Sequence, residues 1–216
     1  GFTWFTNFNL GYNQNKVLRE TVPSNQTTPG REGYPVGALF AYKSAGLDDE
    51  GYPLFYNKEG EKVTAVELLK LNSAGASTLS AEEQRNLYSY IGSSDPLFSG
   101  GFVNSFNIKR FEVVVNFIFN LKMYSRVAPS YTLTSFDRGM NTNRDILNRW
   151  TPTNTNTDFP ALLSDTKRTA EYSHYDIFST YQMMDTWVKR SDHVRLQNIR
   201  VGYKLPETLM HTLGIR

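Results

Sequence analysis

Phe111-Glu112-Val113-Val114-Val115-Asn116-Phe117-Ile118-Phe119-Asn120-Leu121-Lys122-Met123 is the stretch on which the fold turns. Apolar side chains occupy all seven odd positions, whereas Glu112, Asn116, Asn120 and Lys122 stand at even ones with Val114 and Ile118 between them. In a chain that is 39% hydrophobic, such a run arises by chance in roughly one window in a thousand, so period two is a real signal. Successive side chains of a strand point to opposite faces. Residues 111–125 therefore predict a strand with one face that seeks oil and one that tolerates water.

The same alternation recurs outward from there. Over 3–17, Trp4, Phe8, Leu10 and Tyr12 share a face against Asn7, Asn9 and Asn13; over 101–109, Phe102, Phe106 and Ile108 oppose Ser105 and Asn107. Over 194–205, Ile199, Val201, Tyr203 and Leu205 oppose Asn198, Arg200 and Lys204, and a shorter candidate runs from Tyr34 to Lys43. Lys109-Arg110 reads as a tight hairpin, and Pro206 as the start of a short turn through His211. By contrast, 44–100 and 126–193 are long, polar and rich in turn-forming residues, which is unusual inside a compact domain. If the five strands alternate in direction, both excursions leave on one side and the connection 18–33 falls on the other. Ser80-Ala81-Glu82-Glu83 fits a capping box opening a helix to about Tyr90, and Val63–Leu71 is a weaker helix candidate.

Composition agrees with strands and narrows the class. The chain is 216 residues long, 14% aromatic and free of cysteine, which excludes disulfides, thiolate zinc sites and a cysteine nucleophile. Its net charge of +2 is too small to call for nucleic acid or an acidic membrane surface. Mean hydropathy is −0.46, and no apolar run reaches the length of a transmembrane helix. A barrel strand carries its apolar residues on alternate positions and stays polar on average, so a membrane barrel remains open. Gly1 at the start and Leu213–Arg216 at the end lead us to expect a piece of a longer chain.

Catalytic chemistry finds little support. His174, His193 and His211 lie far apart without metal-ligand spacing, and Asp48-Asp49-Glu50-Gly51 lacks the alternating oxygens of a calcium loop and reads as a solvated turn. No nucleophile elbow or phosphate-cradling loop appears. Ser99-Gly100-Gly101 reads as a flexible strand entry, and Asn25-Gln26-Thr27 matches a glycosylation sequon at chance level. We expect no catalytic residue, no metal and no cofactor. Five loop aromatics remain: Tyr42, Tyr52, Phe55 and Tyr56 near one excursion and Trp150 in the other. Such rings stack on sugars and peptide side chains, and loops often carry binding residues; the competing reading is that they pack the loop or form an interfacial girdle.

Several segments together resemble one family. Gly33-Tyr34-Pro35-Val36-Gly37-Ala38-Leu39-Phe40-Ala41-Tyr42-Lys43 continues through Ala45-Gly46-Leu47-Asp48 to Gly51-Tyr52-Pro53-Leu54-Phe55. Gly100-Gly101-Phe102-Val103-Asn104-Ser105-Phe106 and Arg149-Trp150-Thr151-Pro152 follow. The most specific is Ser191-Asp192-His193-Val194-Arg195-Leu196-Gln197-Asn198-Ile199-Arg200-Val201-Gly202-Tyr203-Lys204-Leu205-Pro206. In this order they resemble the SusC/RagA family of TonB-dependent outer-membrane transporters typical of Bacteroidota; residues 57–92 fit least well and suggest a loop insertion.

The resemblance implies an all-β fold. Residues 1–216 would be part of one TonB-dependent receptor β-barrel domain, an antiparallel transmembrane β-barrel of roughly 22 strands. The chain would supply C-terminal strands with long extracellular loops containing short helices, the plug and final strands being absent. It further implies import of glycans or oligopeptides across the bacterial outer membrane, with a SusD-like lipoprotein as lid, the TonB complex as energy source and outer-membrane lipids around the barrel. The even positions of 111–125 would face the lumen, and Tyr42, Tyr52, Phe55, Tyr56 and Trp150 would bear on lid or cargo. Two other classes compete: a soluble β-sandwich carbohydrate-binding module, which buries its apolar faces between sheets, and a secreted glycan hydrolase, which needs a carboxylate pair.

Overall fold

The computed structural model describes residues 1–127, 141, 143–162 and 177–214. The chain divides into two units. The first comprises Gly1–Gln14, Asp95–Met123 and Arg190–Arg216, and the second comprises Asn15–Ser94 and Tyr124–Lys189.

The first unit is a four-stranded antiparallel sheet of eleven-residue strands: β1 (Phe2–Tyr12), β7 (Phe98–Ile108), β8 (Phe111–Leu121) and β11 (His193–Tyr203), paired in the order β1-β7-β8-β11. The alternation at 111–121 is thus a strand, and its neighbours repeat it in register. Cross-strand partners share a face. The register lines up Trp4, Phe106, Val113 and Val201 on one face, and Phe8, Phe102, Phe117 and Leu196 further along it. On the opposite face it aligns Asn107 with Glu112, and Asn116 with Asn198. A β-bulge between Leu196 and Asn198 changes the parity of β11. Even-numbered Val194 and Leu196 thereby join odd-numbered Ile199, Val201 and Tyr203 on the apolar side. Gln197, the extra residue, accepts a hydrogen bond from the Asn116 amide at 2.9 Å.

Tight and long connections are sorted by end. Lys109-Arg110 closes the β7–β8 hairpin, with Lys109 in the left-handed region at φ 54°. Tyr12, Phe98, Leu121 and His193 all lie at the other end, because Tyr12 pairs with Phe98, Phe98 with Leu121 and His193 with Asn120. Both long excursions, 13–97 and 122–192, therefore leave the same end of the sheet, as expected. The expected strand order is corrected, however. Residues 34–43 do not enter this sheet: β1 pairs directly with β7, 86 residues beyond its end in sequence. The 18–33 connection is consequently an internal part of the first excursion.

Ser99-Gly100-Gly101 is strand interior and not an entry. A Cβ on Gly100 would stand 2.2 Å from the Asn9 carbonyl and 2.8 Å from the Phe119 ring, so the strands close over it only because it is glycine. Phe119, stacked 6.0 Å from Phe8, fills the space. After β11, residues 207–212 form a short helix and not the expected turn, named here α4 (Glu207–Thr212).

The second unit gathers both excursions. The first supplies β2 (Ala38–Ala41), β3 (Ser44–Leu47), β4 (Pro53–Tyr56), β5 (Lys62–Thr64), helices α1 (Ala65–Leu69) and α2 (Ala81–Arg85), and β6 (Ser89–Ser93). The second supplies β9 (Tyr124–Arg126), α3 (Ile177–Tyr181) and β10 (Val188–Arg190). β2 pairs with β6, β3-β4-β5 form a meander, and β9 pairs with β10. Ser80–Glu83 is a capping box, as read, although α2 ends at Arg85, well short of Tyr90. A second capping box, Thr64 with Glu67, opens α1. Tyr42, Phe55, Leu68 and Leu69 from the first excursion share one core with Ala161, Tyr181, Met184 and Trp187 from the second.

Candidate functional site

Among the described residues, the two faces of the sheet and the aromatic residues of the second unit are the candidates to bear function. The apolar face of the sheet is uncovered: Trp4 is 64% exposed, Phe8 60%, Ile199 57% and Val201 65%. Aromatic rows run across it, Phe102 stacking on Phe117 at 4.7 Å and Phe111 meeting Tyr203 at 4.8 Å. Its main polar interruption satisfies itself, since Asn104 Oδ1 accepts from Thr6 Oγ1 at 2.7 Å and from Trp4 Nε1 at 3.1 Å. A water-soluble protein rarely leaves so large a contiguous apolar patch open. A β-sandwich would cover this face with a second sheet, and the exposed rings rule that arrangement out for the described residues.

The other face is polar and carries Thr3, Asn7 and Asn9 on β1, Ser105 and Asn107 on β7, and Glu112, Asn116 and Asn120 on β8. Arg200 on β11 reaches Glu112 at 3.4 Å. His193 contacts Asn120 and the Ser191 carbonyl. His211 lies on α4 and His174 falls outside the described residues. No group of three or more potential ligands is placed to hold a metal among the described residues.

The five aromatic candidates divide. Tyr42, Tyr52 and Phe55 are 6%, 7% and 0% exposed, so they offer no surface to a ligand in this arrangement; they build the core of the second unit. Tyr42 stacks on Tyr88 at 4.1 Å and meets Phe55 edge-on at 5.9 Å. Burial pushes the Tyr88 phenol above its ordinary value. Tyr56 and Trp150 are half-buried. Lys43 Nζ lies 5.3 Å above the Tyr56 ring. The Trp150 ring covers Gly51, where a Cβ would sit 2.5 Å from it and φ is already 85°. Asp48, the start of the acidic run, folds back as a turn: its Oδ1 accepts from Glu50 N at 2.9 Å and from Tyr52 N at 2.8 Å.

Backbone bonds stitch the excursions together. Tyr42 N donates to Met183 O and Asp185 N donates to Tyr42 O, both at 2.9 Å; Ala161 N donates to Gly51 O at 2.8 Å. Arg126, from the second excursion, donates to the Phe40 carbonyl at 2.5 Å and to Gln182 O at 3.0 Å. Desolvation lowers its pKa from the usual guanidinium value. The sequence did not suggest this shared core, because its members are scattered over about two-thirds of the chain. A smaller aromatic group, Tyr34 with Phe40 at 5.1 Å and with Tyr90 at 4.9 Å, was likewise hidden, because the strand within 34–43, β2, pairs with β6 and not with the main sheet.

No family model matches the chain. It is 29% identical over 231 residues to the TonB-dependent receptor P3 of Formosa agariphila, across 100% of this chain and 21% of that protein. It is 24% identical over 255 residues to TonB-dependent receptor P39 of the same organism, across 99% of this chain and 23% of the relative. Among solved structures, the RagAB peptide transporter superposes with a TM-score of 0.61 at 22% identity, covering 96% of this chain and 21% of that one. The RagAB peptide importer in its open-open state gives 0.61 at 20%, covering 97% and 21%. The chain thus spans about a fifth of the length of the proteins it matches. The sequence likeness is to TonB-dependent receptors and the fold likeness is to the RagAB transporter, each over about a fifth of the matched protein.

Proposed function

We propose that this chain is part of the barrel wall and outer loops of a TonB-energised outer-membrane importer, taking glycans or oligopeptides in concert with a SusD-like lipoprotein. The observation that carries the reading is the open apolar face on four strands of eleven residues. A membrane-crossing strand needs about 9–11 residues tilted near 45°. Ten steps of about 3.4 Å give about 34 Å, which at about 40° of tilt covers roughly the 25 Å apolar band of such barrels. Tyr12 and Tyr203 stand at opposite ends of that face, where an aromatic girdle would lie. The polar face, with Asn7, Asn116 and Arg200, would then line the lumen.

Both excursions leave the sheet at one end, and in this reading that end is extracellular. The compact unit they form would meet lid and cargo, with Tyr42, Tyr52 and Phe55 holding its shape while Tyr56 and Trp150 stay nearer its surface. TonB would act on a plug supplied by the rest of the protein, and the chain performs no covalent chemistry.

Single cysteines test the wall directly, since this chain has none of its own. In native outer membranes, Val113→Cys and Val115→Cys should resist a water-soluble maleimide and react with a lipid-borne one. Glu112→Cys and Asn116→Cys should do the reverse. Equal labelling of odd and even positions by the water-soluble reagent would remove the barrel reading.

A further inference from the structure

The second unit contains a cleft of about 210 Å³ framed by the β4–β5 turn, α1 and the segment entering α2. Its floor is apolar, formed by Val63, Leu68, Leu79 and Leu87. Its rim carries charges of both signs, principally Lys58 and Lys70 with Glu67 and Glu83; Glu59 and Asn57 complete it.

The two carboxylates are held in place by the helix starts. Glu67 Oε2 accepts from Thr64 N at 2.8 Å and Thr64 Oγ1 at 3.1 Å, and Glu83 Oε2 accepts from Ser80 N and Ser80 Oγ, both at 2.8 Å. In each case one oxygen serves the cap and Oε1 has no protein hydrogen bond among the described residues. Lys58 and Lys70 are near enough to help lower the Glu83 pKa, after its bonds to Ser80. Neither closes an ion pair among the described residues. Lys70 is fixed at the C-cap of α1 in the left-handed region, φ 48°, with its side chain on the cleft.

Anchored anions and flexible cations above a leucine floor complement a molecule that has an ammonium, a carboxylate and an apolar side chain. A neutral glycan offers neither charge, and no aromatic ring lines the cleft for a sugar to stack on. The volume falls below the roughly 300 Å³ at the lower end of drug-sized sites, which suits a dipeptide. We propose that this cleft binds short apolar peptides through their free termini, with the ammonium on Glu67 or Glu83 and the carboxylate on Lys58 and Lys70. The proposal rests on the import reading only in making such peptides a transported class; binding itself stands apart from it.

The test is calorimetric titration of leucyl-leucine into the complete detergent-solubilised protein. The rim is exposed, and exposed ion pairs contribute little, so a Kd of about 1 mM is expected. Blocking both ends, as in N-acetyl-leucyl-leucinamide, should weaken binding at least about tenfold, as should Lys58→Glu combined with Lys70→Glu. Both lysines are exposed and neither makes a hydrogen bond of a capping box; because both lie near Glu83, circular dichroism of the double variant checks that α1 and α2 stay folded. No heat up to about ten times the expected Kd, or unchanged binding by the double variant, overturns the proposal. Cysteine labelling separates the two readings: protected odd positions without dipeptide binding remove the cleft alone, whereas binding with labelled odd positions removes import alone.

Discussion

The two units solve opposite problems with similar residues. In the sheet, Trp4, Phe8 and Val201 point away from the protein and stay more than half exposed; in the excursion unit, Phe55, Tyr181 and Met184 are at most 1% exposed. The sheet has an apolar outside and is complete only when something apolar surrounds it. The excursion unit has an apolar inside, as a water-soluble domain does. One chain thus carries a part whose apolar residues face outward and a part whose apolar residues face inward, and the boundary is crossed four times along the sequence. Hydrophobicity alone does not distinguish them. What differs is period: strict alternation over eleven residues in the sheet, against short scattered apolar pairs in the excursions.

The largest effect that would sharpen this contrast is Phe55→Ala. Removing a fully buried ring costs about 3–5 kcal/mol, and Phe55 supports Tyr42 edge-on. Limited proteolysis of the protein in outer membranes should cut much faster within 15–94 and 124–189, while strand peptides from 98–121 stay protected. Equal loss of protection in both regions would mean that they form one cooperative body, and the contrast would fail.

Val115→Arg against Asn116→Arg is next. Adjacent residues face opposite ways, so a cation at 115 meets lipid and costs about 2–4 kcal/mol near the bilayer centre, whereas one at 116 meets water and costs little. Urea titration of the folded protein in lipid vesicles reads the difference. If both variants unfold at the same urea concentration, the assignment of faces is broken.

In the excursion unit, Gly51→Ala should cost about 1–3 kcal/mol through backbone strain, with the Trp150 ring obstructing as well. Near-ultraviolet circular dichroism should lose intensity as that ring is displaced. An unchanged spectrum and stability would show that the Trp150 ring is free to move away from Gly51.

Much of the sheet was legible because an alternating strand is a local pattern: Phe111 to Leu121 announce β8 and both its faces without reference to any other residue. Strand partnership was not local. β1 finds β7 across a folded excursion, and the preference for pairing consecutive strands misplaced 34–43, whose Phe40 and Tyr42 alternate for only a few residues. The bulge at Gln197 was hidden for a related reason, since it appears only when Leu196 is aligned with Phe117. The aromatic candidates were found as residues but not placed: Tyr42, Tyr52 and Phe55 look alike in sequence whether they bind a ligand or fill a core. Their burial depends on Met184 and Trp187, about 130 residues away. The capping motif at Ser80 marked one wall of the cleft, but its lysines came from two other elements.

The smallest effect concerns how the excursion unit responds to acid. Ser80→Ala removes the hydroxyl that accepts from Glu83 N, at a cost of about 1 kcal/mol. Bonds from Ser80 hold the Glu83 carboxyl below its ordinary 4.5, aided by Lys70 and Lys58 and opposed by desolvation. A carboxyl with a depressed folded pKa contributes stability that is whole above pH 4.5 and is lost as pH falls through the lowered value. Glu83→Gln abolishes that titration, so the gap in stability between the parent and Glu83→Gln should be widest near neutrality and shrink below pH 4.5. Hydrogen exchange of the α2 amides at pH 6 and pH 3.5, corrected for intrinsic rates, measures the gap. The sheet serves as internal reference, because its strand amides should show no difference between the two proteins at either pH. A gap that persisted unchanged into acid would mean that the α2 cap does not depend on the ionised Glu83 carboxylate.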